Sequence, residues 1–229
     1  MKIVKKIFKW LGLVFMALLT AIFVQVPSVE GTPAFETNSQ AQFNEAMKSV
    51  NLIHHISIVV IFTVITLVME YYLCKWAGNK LNLRSKICVN YFFWAVIIGI
   101  ISFLAGILIL RPGNSTNNIY SETLKSKMSF LLIITVNFIG PTLEELLFQG
   151  VIQKGFFKQL NPWLAIVLTS IIFAAFHNIT LNLYFLSNFI SGLLFGYIYQ
   201  KTNDIKYPII SHCINNLTTT IIMCISIFL

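Results

Sequence analysis

The sequence predicts an all-α, polytopic membrane protein of about seven transmembrane helices, with a catalytic core formed by the last four. Three observations predict it. Apolar runs of about 17–25 residues, long enough to cross a hydrocarbon layer, recur along the 229-residue chain. Hydrophobic side chains make up 57% of the residues and charged ones 10%, at a mean hydropathy of +0.79, too apolar for a soluble domain of this size. The runs are continuous rather than alternating, so they read as helices and not as barrel strands.

Each element follows in order. The first run, 10–26, comes after Lys2, Lys5, Lys6 and Lys9 and resembles a signal peptide. It reaches VQVPSVE without a small-x-small cleavage site, so it is expected to stay as an anchor. Segment 27–51 is a polar external loop whose second half, AQFNEAMKSV, reads as a short interfacial helix. Runs 52–74 and 87–110 form the second and third helices, joined by the basic loop 75–86. Loop 111–127 opens with Pro112-Gly113, an exposed turn. The last four helices are 128–152, 162–180, 183–199 and 208–228. The chain thus divides into 1–127, with helices one to three and their loops, and a four-helix core at 128–229. The first part reads as scaffold or substrate-guiding structure.

The net charge of +8 does not imply nucleic acid. With the N-terminus in the cytoplasm, Lys2, Lys5, Lys6, Lys9, Lys75, Lys80, Arg84, Lys86, Lys154, Lys158, Lys201 and Lys206 fall inside. Only Lys48, Arg111, Lys125 and Lys127 fall outside, which makes twelve of the 16 basic residues cytoplasmic. That bias reports a multi-pass protein of the cell membrane and its contact with lipid headgroups. Cys74, Cys88, Cys213 and Cys224 form no paired motif and read as free thiols.

Chemistry concentrates in the last hundred residues. Glu144 and Glu145 are adjacent in FIGPTLEELLFQG, where a charge costs roughly 2.5–3.5 kcal/mol at mid-bilayer. Neighbouring helical residues project about 100° apart, so one acid is expected to face a cavity and the other a neighbouring helix. Gln149 lies four residues beyond Glu145, where its amide can bond the carboxylate. Pro141 removes a backbone donor, so a kink is expected, with the carbonyl of Phe138 or Asn137 in need of a partner. Phe173 and His177 share a helical face, as do His212 and Asn216. Each set alone also reads as a polar contact between helices. Counted from the cytoplasmic ends at 1.5 Å per residue, Glu144 lies about 15 Å deep, His177 roughly 20 Å and His212 about 7 Å. Tilt, kinks or a shift of the helix boundaries must therefore bring them together.

The order E-E-x-x-x-Q, F-x-x-x-H, H-x-x-x-N over about residues 128–220 resembles the CAAX prenyl protease and bacteriocin-processing (Abi) family of intramembrane proteases. The resemblance implies an endopeptidase in which Glu144 activates water. It also implies that Glu145, His177, His212 and Asn216 belong to the catalytic set, with Gln149 and Phe173 supporting them. His212 and Asn216 would stabilise the oxyanion or take part in metal binding. Zinc or another divalent metal stays open, with His177 and His212 as its ligands. The implied partners are the lipid bilayer and a peptide or membrane-associated protein substrate, of leader, pheromone or bacteriocin type rather than prenylated. Gln149 stands where the family has arginine and loses its fixed charge. That departure keeps a rival open, a weak or inactive member acting in bacteriocin immunity or regulation. A transporter using Glu144 and Glu145 as a proton relay should show a repeated half, and the sequence has none.

Among lesser signals, Gly192 and Gly196 read as tight helix packing. His54 and His55 read as interfacial, and Glu70 as an acid snorkelling toward Lys75. Asn137, Asn182 and Asn188 are unranked candidates for a cavity wall.

Overall fold

The computed structural model describes residues 2–32, 40–81, 85–110 and 117–229. Arg84, Arg111 and the Pro112-Gly113 turn lie outside them, as do the side chains of Lys2, Lys5 and Lys6. The described residues form helices α1 (Lys2–Gly31), α2 (Gln40–Ser49), α3 (Leu52–Ala77), α4 (Val89–Leu110) and α5 (Asn117–Leu124). The last four are α6 (Ser129–Phe156), α7 (Pro162–His177), α8 (Leu183–Thr202) and α9 (Lys206–Phe228). All seven expected apolar segments are helical, and AQFNEAMKSV forms α2. The chain is a polytopic all-α membrane protein.

The span count differs from the expected seven. Five helices, α1 from Phe8 together with α3, α4, α6 and α9, are long and apolar enough to cross a membrane. Helix α7 has 16 residues because Asn161 caps it at one end and Asn178 leaves helical geometry at the other. Helix α8 carries Ser187, Asn188 and Ser191 along its length, which lowers its hydropathy below that of a span. These two polar or short helices border the site described below.

Side-chain caps set the ends. Asn51, Asn161 and Asn182 accept from backbone N–H groups at the starts of α3, α7 and α8. Gly78 ends α3 at φ 85°, a left-handed conformation that favours glycine. Helix α1 passes through Pro27 to Gly31 instead of stopping at residue 26. Its last turn is held in place by packing. A Cβ on Gly31 would sit 2.0 Å from Thr135 Oγ1 of α6. Across the same end, Glu30 meets His55 of α3 at 2.6 Å, so that histidine is tied to α1.

Helix α6 is the centre of the bundle. Every residue from Leu143 to Gln153 is buried, so its polar groups face protein rather than lipid. Leu143, Leu147, Phe148 and Val151 join Phe173 of α7 and Phe195 of α8 in one apolar cluster. Helix α1 packs on α3, α4 packs on α8 and α9, and α7 packs on α8. Gly192 brings α8 within 3.0 Å of the Ser170 backbone when a Cβ is placed on it, the close approach its motif implies. All four cysteines are free.

Candidate active site

Two stretches of α6 are π-helical, Thr135–Ile139 and Leu146–Phe156, and they flank the α-turn Gly140–Glu145 that carries both acids. The first accommodates Pro141. In π register a residue bonds the carbonyl five positions back, as Gly140 N–H does to Thr135 O. Proline has no N–H to give to Val136 O, and Asn216 Nδ2 of α9 takes that carbonyl at 2.9 Å. The orphan is therefore Val136, not the expected Phe138 or Asn137. Phe138 O accepts from Thr142 Oγ1 at 2.7 Å instead. Through this substitution of partners the proline ties α6 to α9.

The second π stretch bears on depth. A π-helix advances less per residue than an α-helix, so the count from Lys154 places Glu144 too deep. The residues meet: Glu144 Oε2 lies 3.3 Å from His177 Nε2 and 4.0 Å from His212 Nε2. Glu145 Oε1 bonds His212 Nδ1 at 2.9 Å. The two acids thus approach the same imidazole from its two nitrogens, Glu144 at a cavity wall and Glu145 fully buried.

The histidines are oriented from behind. His177 Nδ1 lies 2.9 Å from Phe173 O, a carbonyl that only accepts, so Nδ1 carries the proton and Nε2 faces Glu144. His212 lies stacked on Phe195, with ring centroids 4.7 Å apart and planes at 21°. Phe173 packs against both imidazoles, at 4.5 Å and 5.8 Å. The His177 side chain is 27% exposed, whereas those of Glu144 and His212 are 11% and 6% exposed. One wall of the site is therefore open and the other closed.

The cavity between these groups has a volume of about 280 Å³. Glu144, His177, His212 and Asn216 line it, as do Phe173 and Phe195. Glu144 Oε2 is enclosed by protein, with His177 Nε2 the nearer of the two imidazole nitrogens. Among the described residues, no three of the His, Cys, Asp and Glu side chains are grouped so as to hold a metal ion.

Sequence reasoning missed part of the wall. Gln25 and Ser28 enter from α1, Ser191 from α8 and Asn215 from α9. Gln25 had a legible signal, a lone amide inside the apolar run IFVQVPSV. Ser191 is fixed by Ser102 Oγ of α4 at 2.8 Å, a bond between distant segments with no local signature. Of the unranked asparagines, Asn188 reaches the cavity, while Asn137 bonds Thr220 Oγ1 and Asn182 caps α8.

Two expectations need correction. Gln149 is near enough to Glu145 to interact with it electrostatically, yet neither its Oε1 nor its Nε2 completes a hydrogen bond. The π register between them moves residue 149 off the face that an α-helix would give it. Glu70 does not snorkel. It is fully buried with both oxygens unpartnered, because α3 turns that side toward α6, where the neighbouring Cys74 Sγ lies against Gly150.

Part of the chain is similar to known proteins. Residues 126–218, from the start of α6 to the middle of α9, match the family described as Rce1-like, type II CAAX prenyl endopeptidase Rce1-like. YdiL of Bacillus subtilis (strain 168), which carries the name of a candidate membrane peptidase, is 31% identical over 93 residues. Those residues are 41% of this chain and 37% of that relative, so the match spans little more than a third of the relative's length. No solved structure matches the chain. The matched segment, residues 126–218, is thus similar to the Rce1-like type II CAAX prenyl endopeptidases and carries the residues quoted above for that resemblance.

Proposed function

We propose that the chain is a membrane-embedded endopeptidase in which Glu144 activates water against a peptide bond held in the cavity. The observation that carries this reading is the Glu144 carboxylate lining the cavity, with His177 Nε2 and His212 Nε2 at 3.3 and 4.0 Å from its Oε2. A carboxylate at a cavity wall, within hydrogen-bond reach of a water, is what a general base needs in order to take a proton from it. The water oxygen adds to the scissile carbonyl carbon, and negative charge gathers on the carbonyl oxygen. His212, its Nδ1 engaged by the Glu145 carboxylate, presents Nε2 toward that charge. Collapse breaks the C–N bond, and the proton held by Glu144 passes to the leaving amine. His177 shares the environment of that proton and is kept in one tautomer by Phe173 O.

Asn216 enters as a positioning residue. Its Nδ2 is engaged by Val136 O and its Oδ1 by Asn215 Nδ2, so it holds the π turn and sets Asn215 at the wall. Gln149 and Phe173 belong to the supporting layer. Glu144, His177 and His212 are the residues that would have to close on a divalent metal such as zinc. Among the described residues they are not grouped for one. The substrate class is a peptide or membrane-associated protein segment, of leader, pheromone or bacteriocin type, cleaved in peptide processing or self-immunity. The cytoplasm lies on the side of Lys154, Lys158, Lys201 and Lys206.

One observation favours a second reading. Gln149 is buried beside Glu145 as a neutral amide, where the family's arginine would supply charge. A chain of low catalytic power that protects its host without cleavage fits that residue. Glu144→Gln and Glu144→Ala separate the two, assayed by mass spectrometry for peptide cleavage in proteoliposomes and by host protection from bacteriocin. Cleavage falling by about 10²–10⁴-fold together with lost protection supports the hydrolase. Protection that survives both changes overturns it for that phenotype.

A further inference from the structure

A second cavity, of about 210 Å³, lies where α4 begins and α8 ends, on the outer side of the bundle and apart from Glu144. Tyr91, Trp94 and Ile98 of α4 form one wall at spacings of three and four, so they share a helical face. Tyr197 and Lys201 of α8, again four apart, form the other, with Thr202 at the rim. Trp94 and Tyr197 are 59% and 39% exposed, so the trough opens outward rather than into the core.

The walls are braced. Tyr197 stacks on Trp163 of α7 at 5.9 Å and 18°, and Tyr91 meets Tyr207 of α9 edge-on at 5.6 Å. Aromatic side chains with one polar end suit the boundary between hydrocarbon and headgroups. Three lysines at this end of the bundle are engaged. Lys154 bonds Asn203 Oδ1, Lys158 bonds Ala77 O and Lys206 pairs with Asp204. Lys201 is exposed and none of the described groups bonds it, so an ammonium stands free above an apolar trough. No carboxylate lines the cavity, and the nearby Asp204 is already held by Ser85 and Lys206. A choline or ethanolamine group would therefore find no anion here, while a headgroup of net negative charge finds a cation.

We propose that this α4–α8 trough binds an anionic phospholipid, with its phosphate on Lys201 and an acyl chain along Trp94, Ile98 and Tyr197. Juxtamembrane lysines attract anionic lipid by electrostatics, and the aromatic trough adds contact that a bare surface lysine lacks.

The test uses the full chain in detergent, with quenching of tryptophan fluorescence by brominated phosphatidylglycerol and, in parallel, brominated phosphatidylcholine. Phosphatidylglycerol is expected to bind the wild type more tightly. Lys201→Ala is expected to weaken phosphatidylglycerol about fivefold, the equivalent of one lysine contact, and to leave phosphatidylcholine unchanged. Lys201→Arg is expected to retain binding, and Trp94→Phe to remove most of the quenched signal. Far-ultraviolet circular dichroism checks that each variant is folded. Equal binding of the two lipids, or a folded Lys201→Ala that binds like wild type, overturns the proposal. Displacement of the lipid by inorganic phosphate also overturns it, because the site would then be one for a soluble anion. Each readout is independent of peptide hydrolysis.

Discussion

On α3, Glu70 is completely buried and neither carboxylate oxygen has a partner. On α6, Glu144 and Glu145 are buried too, yet each reaches an imidazole from another helix, at 3.3 Å to His177 and 2.9 Å to His212. All three acids lie in apolar segments of similar appearance. The difference is convergence, since α6 is enclosed by α7, α8 and α9, each of which brings polar or aromatic side chains to the same point. A buried acid by itself therefore marks a cost, and a buried acid met by oriented partners beside a cavity marks a candidate site.

The comparison is broken most sharply by swapping amides for acids. Glu144→Gln is expected to cut peptide release about 10²–10⁴-fold, whereas Glu70→Gln leaves it within about twofold. Equal losses in the two variants would place Glu70 in the same machinery. Next in size is stability. His212→Ala strands Glu145 without its partner and should cost about 3–5 kcal/mol, read as a lower unfolding midpoint in detergent. Glu70→Leu, which removes two unpartnered oxygens, should hold or raise that midpoint. Asn216→Ala leaves the Val136 carbonyl without a donor and should cost about 1–3 kcal/mol. Asn216→Asp removes the same donor and should not rescue it.

The smallest effect lies outside the spans, at Asp204. Burial would raise its carboxyl, but bonds from Ser85 and Lys206 outweigh that and hold it below the ordinary carboxylate range. A lowered folded value stabilises the chain above the unfolded pKa, and the gain is lost as pH falls through the folded one. Wild type should thus lose stability relative to Asp204→Asn as pH falls below about 4, in a thermal-unfolding series against pH. A constant difference across that range would remove Asp204 as the cause.

The site was legible in unequal measure. Glu144, Glu145, His177 and His212 announce themselves because ionisable groups are expensive in apolar helices, and the geometry places all four together. Asn216 was legible as a residue but not in its contact, because its carbonyl partner depends on a π turn that residue spacing does not encode. Gln25 and Ser28 escaped notice since α1 lies more than a hundred residues away in sequence and only packing carries its last turn to the cavity. Pro27 looked like the end of a helix and is instead inside one.

From composition and periodicity alone came the all-α membrane class, the positions of the apolar helices and the identity of the costly polar residues. Those properties are local, set by solvation of single side chains and by the length of hydrocarbon they must match. Helix register, the burial of Glu70, the hold of Asn216 on the Val136 carbonyl and the α1 wall of the cavity were decided by the tertiary structure. Each depends on which backbone faces which across the bundle, and a small change of helical pitch in α6 is enough to move a side chain from one neighbour to another.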